Sequence, residues 1–291
     1  MNLKLPGRFA VIGAGRIGSG FAKLLVTAGH TLTAVYDSDP LKAQALLRSL
    51  HVNPALPADD IASLPAETEL FLITVPDDSI SLIANEISNS RIIITSQCFL
   101  HASGALSSQL LQPIAKCGGS IGSLHPLRAV PDPEHADEAL KGAVFSFEGD
   151  SEVRRFVDAL VSAAGGSLLT IRAEDKPLYH AIACMVANYV VTMTAVADNT
   201  WATLGLTEGP RRQAIRDLAI DSIINSTLRS PNEALTGPLV RGDTTTIRLH
   251  LAALHQAGPS IHELYILLGK LTVGLLAQNA DRILQILDDA G

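Results

Sequence analysis

The sequence predicts a doubly wound α/β domain followed by an all-helical domain. Three observations carry that expectation. β-rich and helical runs alternate through the first half, a glycine-rich turn joins the first strand run to the first helical run, and no strand run remains after Arg172. Alternation of this kind argues for a parallel sheet with helices on both faces. A length of 291 residues suits two domains of ordinary size.

Taken in order, Phe9–Ile12 is a strand run that enters Gly13-Ala14-Gly15-Arg16-Ile17-Gly18, and a helix follows to Ala28, with Gly29 where a helix ends. Thr31–Tyr36 reads as a strand and Pro40–Leu50 as a helix. Leu70–Val75 is a nearly continuous apolar run stopped by Pro76, which suits a strand buried on both faces. Ser79–Ile87 reads as helix, Arg91–Ser96 as strand and Gly104–Ala115 as helix. Ser120–Leu124, Ala143–Glu148 and Ser167–Arg172 complete the strand runs, with a helix at Glu152–Ala164. Helical patterns then cover Pro177–Leu204, Pro210–Leu228, Thr244–Gln256, Ser260–Gln278 and Asp281–Asp288. The change of pattern sets the expected domains at residues 1–173 and 174–291.

Composition narrows the function. Lys+Arg 22 against Asp+Glu 29 gives a net charge of −7, which disfavours a nucleic-acid binder that neutralises phosphates with basic surface. Cys98, Cys117 and Cys184 have no metal-ligand spacing, so no metal site is expected, and reduced thiols fit a cytoplasmic protein. The longest apolar stretch, Ala181–Ala197, contains Asn188, Thr192 and Thr194; it reads as a buried helix rather than a membrane span. Charged residues are only 18% of the chain, which an aliphatic sheet covered on both faces would explain.

The glycine turn sits where a dinucleotide site needs it, after a strand, opening a helix, and in a βαβ unit whose second strand ends at Asp37. Gly13 permits the tight turn, Gly15 lets backbone approach a pyrophosphate, and Gly18 allows close helix–strand packing. Ala14, Arg16 and Ile17 supply the intervening backbone. The helix start offers free N–H groups to the anion. This is the Rossmann-type arrangement. Asp37 is placed to accept hydrogen bonds from ribose hydroxyls and would repel a 2′-phosphate, so NAD is favoured over NADP. Val75 and Pro76 end the next apolar strand, near the switch point where a nicotinamide would lie.

Three constellations carry candidate chemistry. Ser103 and Gly104 stand in a strand-to-helix turn that can hold a substrate carboxylate or cap a helix. His125, before Pro126, is a proton donor or acceptor at a strand end. Lys176, His180 and Asn188 trace a slow polar strip on an apolar helix. At about 100° per residue, His180 lies about 40° from Lys176, with Asn188 about 80° further round. Between the later helices, Arg241 can clamp a carboxylate and Asp243 can cap the next helix.

These residues together resemble a family. The glycine loop, Val75-Pro76-Asp77-Asp78, His101-x-Ser103-Gly104, Ser123-Leu124-His125-Pro126, Lys176-x-x-Tyr179-His180-Ala181, Asn188-Tyr189 and Thr236-Gly237-Pro238…Arg241-Gly242-Asp243 occur in this order. They look like the Rossmann-like oxidoreductases with a helical C-terminal domain of initially unknown function. That group is similar to ketopantoate reductases and the wider 6-phosphogluconate dehydrogenase-like superfamily. The resemblance implies a cofactor domain, a helical dimerisation domain giving a homodimer, and a small carboxylate substrate. It also implies a lysine near the start of the long helix, which Lys176 matches; His180 stands where those relatives carry asparagine. The function expected is NAD(P)-dependent reduction of a small, ketopantoate-like 2-oxo acid. The rivals are a prephenate dehydrogenase-like enzyme with His125 as base, and a non-catalytic NAD(P) sensor.

Overall fold

The computed structural model describes residues 7–51, 56–58, 60–90, 96–276, 278 and 280–291. They fall into two compact units, Met1–Cys184 and Met185–Gly291. The division lies eleven residues beyond the expected 173/174 boundary. Its cause is local, because Lys176 and Tyr179, at the start of the long helix, bond into the sheet rather than away from it.

The first unit is built on eight strands: β1 (Arg8–Ile12), β2 (Thr31–Tyr36), β3 (Leu56–Pro57), β4 (Leu70–Ile73), β5 (Cys98–His101), β6 (Ser120–Pro126), β7 (Val144–Gly149) and β8 (Ser167–Thr170). Their order is β3-β2-β1-β4-β5-β6-β7-β8. All neighbours run parallel except β6 and β7, which pair antiparallel with His125 opposite Ser146. The order reverses direction between β1 and β4, which makes that place the switch point of a doubly wound sheet.

Helices α1 (Arg16–Thr27), α2 (Pro40–Leu50), α3 (Asp77–Asn89), α4 (Gln112–Lys116), α5 (Ala136–Leu140) and α6 (Arg154–Ala163) cover the sheet. Phe21, Leu25, Leu46, Leu140 and Leu160 pack one face with α1, α2, α5 and α6. Ile80, Ala84, Ile87 and Ile114 close the other face with α3 and α4, around a stacked Phe71–Phe99 pair. Every residue of β4 is buried, as its unbroken apolar run requires.

Two local expectations change. Arg91–Ser96 lies outside the described residues apart from Ser96, and the strand at that point of the order is Cys98–His101. The helix expected over Gly104–Ala115 is shorter, a 3-10 turn at Ser108–Leu111 leading into α4. The turn starts late because Ser103 folds back on Leu106 N–H, while the buried Glu148 carboxylate accepts from Ser108 N–H and Oγ.

The long helix α7 (Lys176–Thr203) is followed by α8 (Glu208–Leu228), α9 (Pro231–Ala234), α10 (Pro238–Arg241), α11 (Thr244–Ala257), α12 (Pro259–Val273) and α13 (Ala280–Asp288). Ile247, Leu251, Ile266, Ile283 and Leu287 form the core of the second unit between α11, α12 and α13. Asp243 caps α11 through Thr246 N–H, as its position suggested. The expectation of a buried Ala181–Ala197 helix fails within the single chain. Ile182, Met185, Val186, Tyr189 and Val191 are all about half exposed or more. By length and composition alone α7 could also cross a membrane.

Candidate active site

The parallel strands β1, β4, β5 and β6 end on one edge of the sheet. The glycine loop, Val75–Asp77, Ser103–Gly104 and His125–Pro126 therefore line up along that edge in strand order. Ligands of doubly wound sheets bind outside this edge, at the switch point.

At the loop, the three glycines differ in what an added side chain would meet. Gly13 has φ +101°, and a Cβ there would meet the Thr74 carbonyl carbon at 2.7 Å. At Gly18 a Cβ would lie 2.1 Å from Gly13 O, so only glycine lets α1 approach the strand this closely. Gly15 has nothing within 4 Å of an added Cβ, which leaves open the approach that a pyrophosphate needs. Thr74 Oγ1 donates to Gly13 O at 2.6 Å and braces the turn from the switch-point side. These residues fit a dinucleotide.

Asp37 sits beside the loop, but its carboxylate is engaged differently from the expectation. Oδ2 accepts from Ala14 N at 2.7 Å and Oδ1 from Asp39 N at 2.8 Å. It braces the glycine turn through backbone donors. Next to it, a cavity of about 610 Å³ is lined by Gly15, Arg16, Lys23, Lys42 and Ser49 among others. Lys23 is committed there to the Pro133 and Glu134 carbonyls. Pro76, three residues beyond the end of β4, forms the N-cap position of α3, with Asp77 and Asp78 in the first turn.

Further along the edge, Lys176 is fully buried. Its ammonium donates to Ser103 O at 2.9 Å and to Ser123 Oγ at 2.7 Å. Ser123 Oγ donates in turn to Ser103 O, and Ser103 Oγ donates to Asp77 Oδ2 at 2.8 Å. Burial pushes the Lys176 pKa down to about 8, against the pull of the Glu148 and Asp77 carboxylates. A fixed positive charge thus sits behind the ends of β5 and β6. Burial, together with that charge, holds His101 down to about 4; the His101 Nδ1 accepts from Ser103 N.

His125 and His180 are half-buried in front of this charge, with ring centroids 5.5 Å apart and planes nearly perpendicular. Burial, His180 and Lys176 lower the His125 pKa to about 4. Both rings close on Gly104, where an added Cβ would lie 2.3 Å from His180 Cδ2 and 2.9 Å from His125 Nε2. Gly104 is needed for this approach and not for its backbone angles. His125 Nδ1 is 3.1 Å from the Tyr179 hydroxyl.

The structure thus brings together Ser103, Gly104, His125, Lys176 and His180. Asn188 and Arg241 fall in the second unit, where both are exposed; Arg241 ends α10. Sequence reasoning missed Thr74, Ser123, Glu148 and Tyr179 as parts of the site. Tyr179 and Ser123 carried a signal, their places in the Lys-x-x-Tyr-His-Ala and Ser-Leu-His-Pro strings.

The fold defines the class, a Rossmann-like sheet domain followed by a helical C-terminal region. Residues 4–126 match the Rossmann-like domain family, and residues 143–272 match a domain of unknown function, DUF2520. Among solved structures, the putative NADP oxidoreductase BF3122 of Bacteroides fragilis is 20% identical with a TM-score of 0.72, covering 91% of this chain and 97% of its own. Protein TM1727 of Thermotoga maritima is 23% identical with a TM-score of 0.72, covering 92% and 97%. A pyrroline-5-carboxylate reductase of Coxiella burnetii is 13% identical with a TM-score of 0.60, covering 97% and 99%. At these identities the likeness speaks to the fold. No curated protein matches the sequence.

Proposed function

We propose that the protein is an NAD(P)-dependent oxidoreductase that reduces a small, ketopantoate-like 2-oxo acid. The observation that carries this reading is the buried Lys176 ammonium, set behind His125 and Gly104 on the same sheet edge as the glycine loop. A nicotinamide, when bound, supplies the hydride, and the chain supplies position and electrostatics.

Hydride addition to a carbonyl carbon builds negative charge on oxygen. Lys176 provides a fixed positive charge for it without reorganisation. The family resemblance casts Lys176 as the residue that supports proton transfer. Its full enclosure, with bonds to Ser103 and Ser123, favours instead a role as a charge acting through space. His125 Nε2 and His180 face the front of Gly104 and are the groups placed to touch the carbonyl oxygen. Asn188 as an orienting group and Arg241 as a carboxylate clamp remain part of the proposal, resting on residue type and place in the sequence.

For the cofactor, the Asp37 carboxylate favours NAD, while Arg16 and Lys42 in the neighbouring cavity can pair with the 2′-phosphate of NADP. A homodimer through the helical unit is supported by the apolar side chains that α7 and α8 expose, among them Met185, Val186, Leu218 and Ile223. A cytoplasmic setting accords with three free cysteines.

The test is NADH and NADPH consumption against a panel of 2-oxo acids, with Lys176→Ala and His125→Ala beside the unaltered protein. Turnover that falls about a hundredfold in both variants, with nucleotide affinity retained, supports the reading. Nucleotide binding without turnover of any panel member refutes it in favour of a sensor.

A further inference from the structure

The Tyr179–His125 contact has no part in the proposal above, and it bears on which proton His125 carries into the site. His125 lies in β6 directly opposite Ser146 of β7, and Tyr179 reaches over this pair from the first turn of α7. Three polar groups meet there: the Ser146 hydroxyl, the Tyr179 hydroxyl and Nδ1 of His125. The Ser146 hydroxyl is buried, and among the described residues no partner stands within ordinary hydrogen-bond distance.

Both members of the 3.1 Å pair are held neutral. Burial raises the Tyr179 pKa, so the phenol keeps its proton, and burial with the neighbouring charges keeps His125 unprotonated. A neutral imidazole carries one N–H, and the partner of one nitrogen decides which. Two arrangements are open: the phenol donates to Nδ1, or Nδ1–H donates to the phenol oxygen. A phenol is the better donor of the two and an imidazole nitrogen by far the better acceptor. The order follows from their ordinary pKa values, about 10 for the phenol and about 6.5 for the imidazolium.

We propose that Tyr179 is a positioning residue whose hydroxyl donates to Nδ1 of His125, fixing the neutral tautomer that carries its proton on Nε2, the nitrogen facing Gly104 and His180. An Nε2–H in that place donates a hydrogen bond to a carbonyl or imine oxygen or nitrogen and polarises it. Neutral histidines can serve as electrophiles in this way. The same Nε2–H cannot accept a proton from a substrate hydroxyl. His125 is therefore set to stabilise the oxygen or nitrogen that gains charge, and is excluded as the base for a substrate hydroxyl in either direction. The alkoxide left by hydride addition is basic enough to take its proton from water. This inference rests on the oxidoreductase reading for its consequence, but the tautomer itself does not.

The experiment is long-range 1H–15N correlation of the histidine rings in nucleotide-free, 15N-labelled protein at neutral pH, with His125→Asn to assign the signals. The expected result is His125 in a single Nε2–H form, passing to a mixture of the two tautomers in Tyr179→Phe. Phenylalanine keeps the ring and removes only the hydroxyl, and thermal unfolding of the variant checks that the unit is intact. His125 found with its proton on Nδ1 overturns the proposal, and so does a single Nε2–H form that survives in Tyr179→Phe. Failure of the oxidoreductase reading would show separately, as absent NAD(P)H consumption with the tautomer as stated.

Discussion

Replacing His101 by glutamine removes one titrating group from the interior of the sheet, and its effect can be worked out beforehand. His101 is 1% exposed, and its pKa is lowered to about 4, first by burial and then by the Lys176 charge. In the unfolded chain it returns to about 6.5. Between those values the unfolded state binds a proton that the folded state does not, so stability falls as the pH drops. The contribution is absent above pH ~6.5 and fully developed below pH ~4. One pKa unit corresponds to about 1.4 kcal/mol, so the full loss is about 3 kcal/mol, of which about 2 kcal/mol falls between pH 7 and pH 5. Glutamine does not titrate, and its side-chain oxygen can still accept from Ser103 N–H in place of Nδ1. Urea unfolding of both proteins at the two pH values isolates the term. Far-UV circular dichroism and sheet amide exchange are the suitable probes, because the one tryptophan, Trp201, lies in the helical unit. The wild type should lose about 2 kcal/mol more than His101→Gln on acidification. Losses equal within roughly 0.5 kcal/mol, the usual additivity error, would refute the reasoning.

Other substitutions separate the parts of the site. Gly15→Ala meets no atom within 4 Å, so stability should hold to about 0.5 kcal/mol while NAD(P)H affinity, read by nucleotide fluorescence, weakens at least about tenfold. Gly104→Ala should do the reverse. Its methyl lands 2.3 Å from His180 Cδ2, and displacing the rings by about 1 Å should lower turnover about a hundredfold with nucleotide affinity unchanged. Burial is the main depressor of His101 and His125, and Lys176→Met removes a lesser one, the ammonium charge, so both imidazoles should titrate at somewhat higher pH by NMR. Unshifted titrations would show that the ammonium is not acting on them.

What the sequence made legible follows a physical rule. The glycine turn was readable because backbone geometry imposes it locally, and Gly13 and Gly18 each meet the steric need their spacing implied, while Gly15 faces open space. The strands buried on both faces and the Asp243 cap were readable for the same reason. What could not be read lies in contacts distant along the chain. Glu148 caps a turn forty residues earlier, and Tyr179 meets His125 across fifty-four. Asp37 was placed at the right end of the right strand, yet its bond to Ala14 N–H depends on the exact fold of the turn. The exposed face of α7 is legible as apolar, but apolar sequence alone does not say what covers it.

The antiparallel strand β7 has a consequence for how this site can vary. Because β7 enters the sheet where β6 leaves it, residues 127–143 form a loop that begins and ends on the ligand-facing edge. A parallel successor would have required a crossover back to the opposite edge. The loop carries α5 and borders the glycine turn, with Val130 O accepting from Arg16 and the Pro133 carbonyl from Lys23. Lengthening or shortening it would reshape one wall of the site without moving any crossover helix. Ser146 and Glu148 would stay in register with His125 and Ser123. The reversed strand thus uncouples the part of the chain that can change from the part that must stay still.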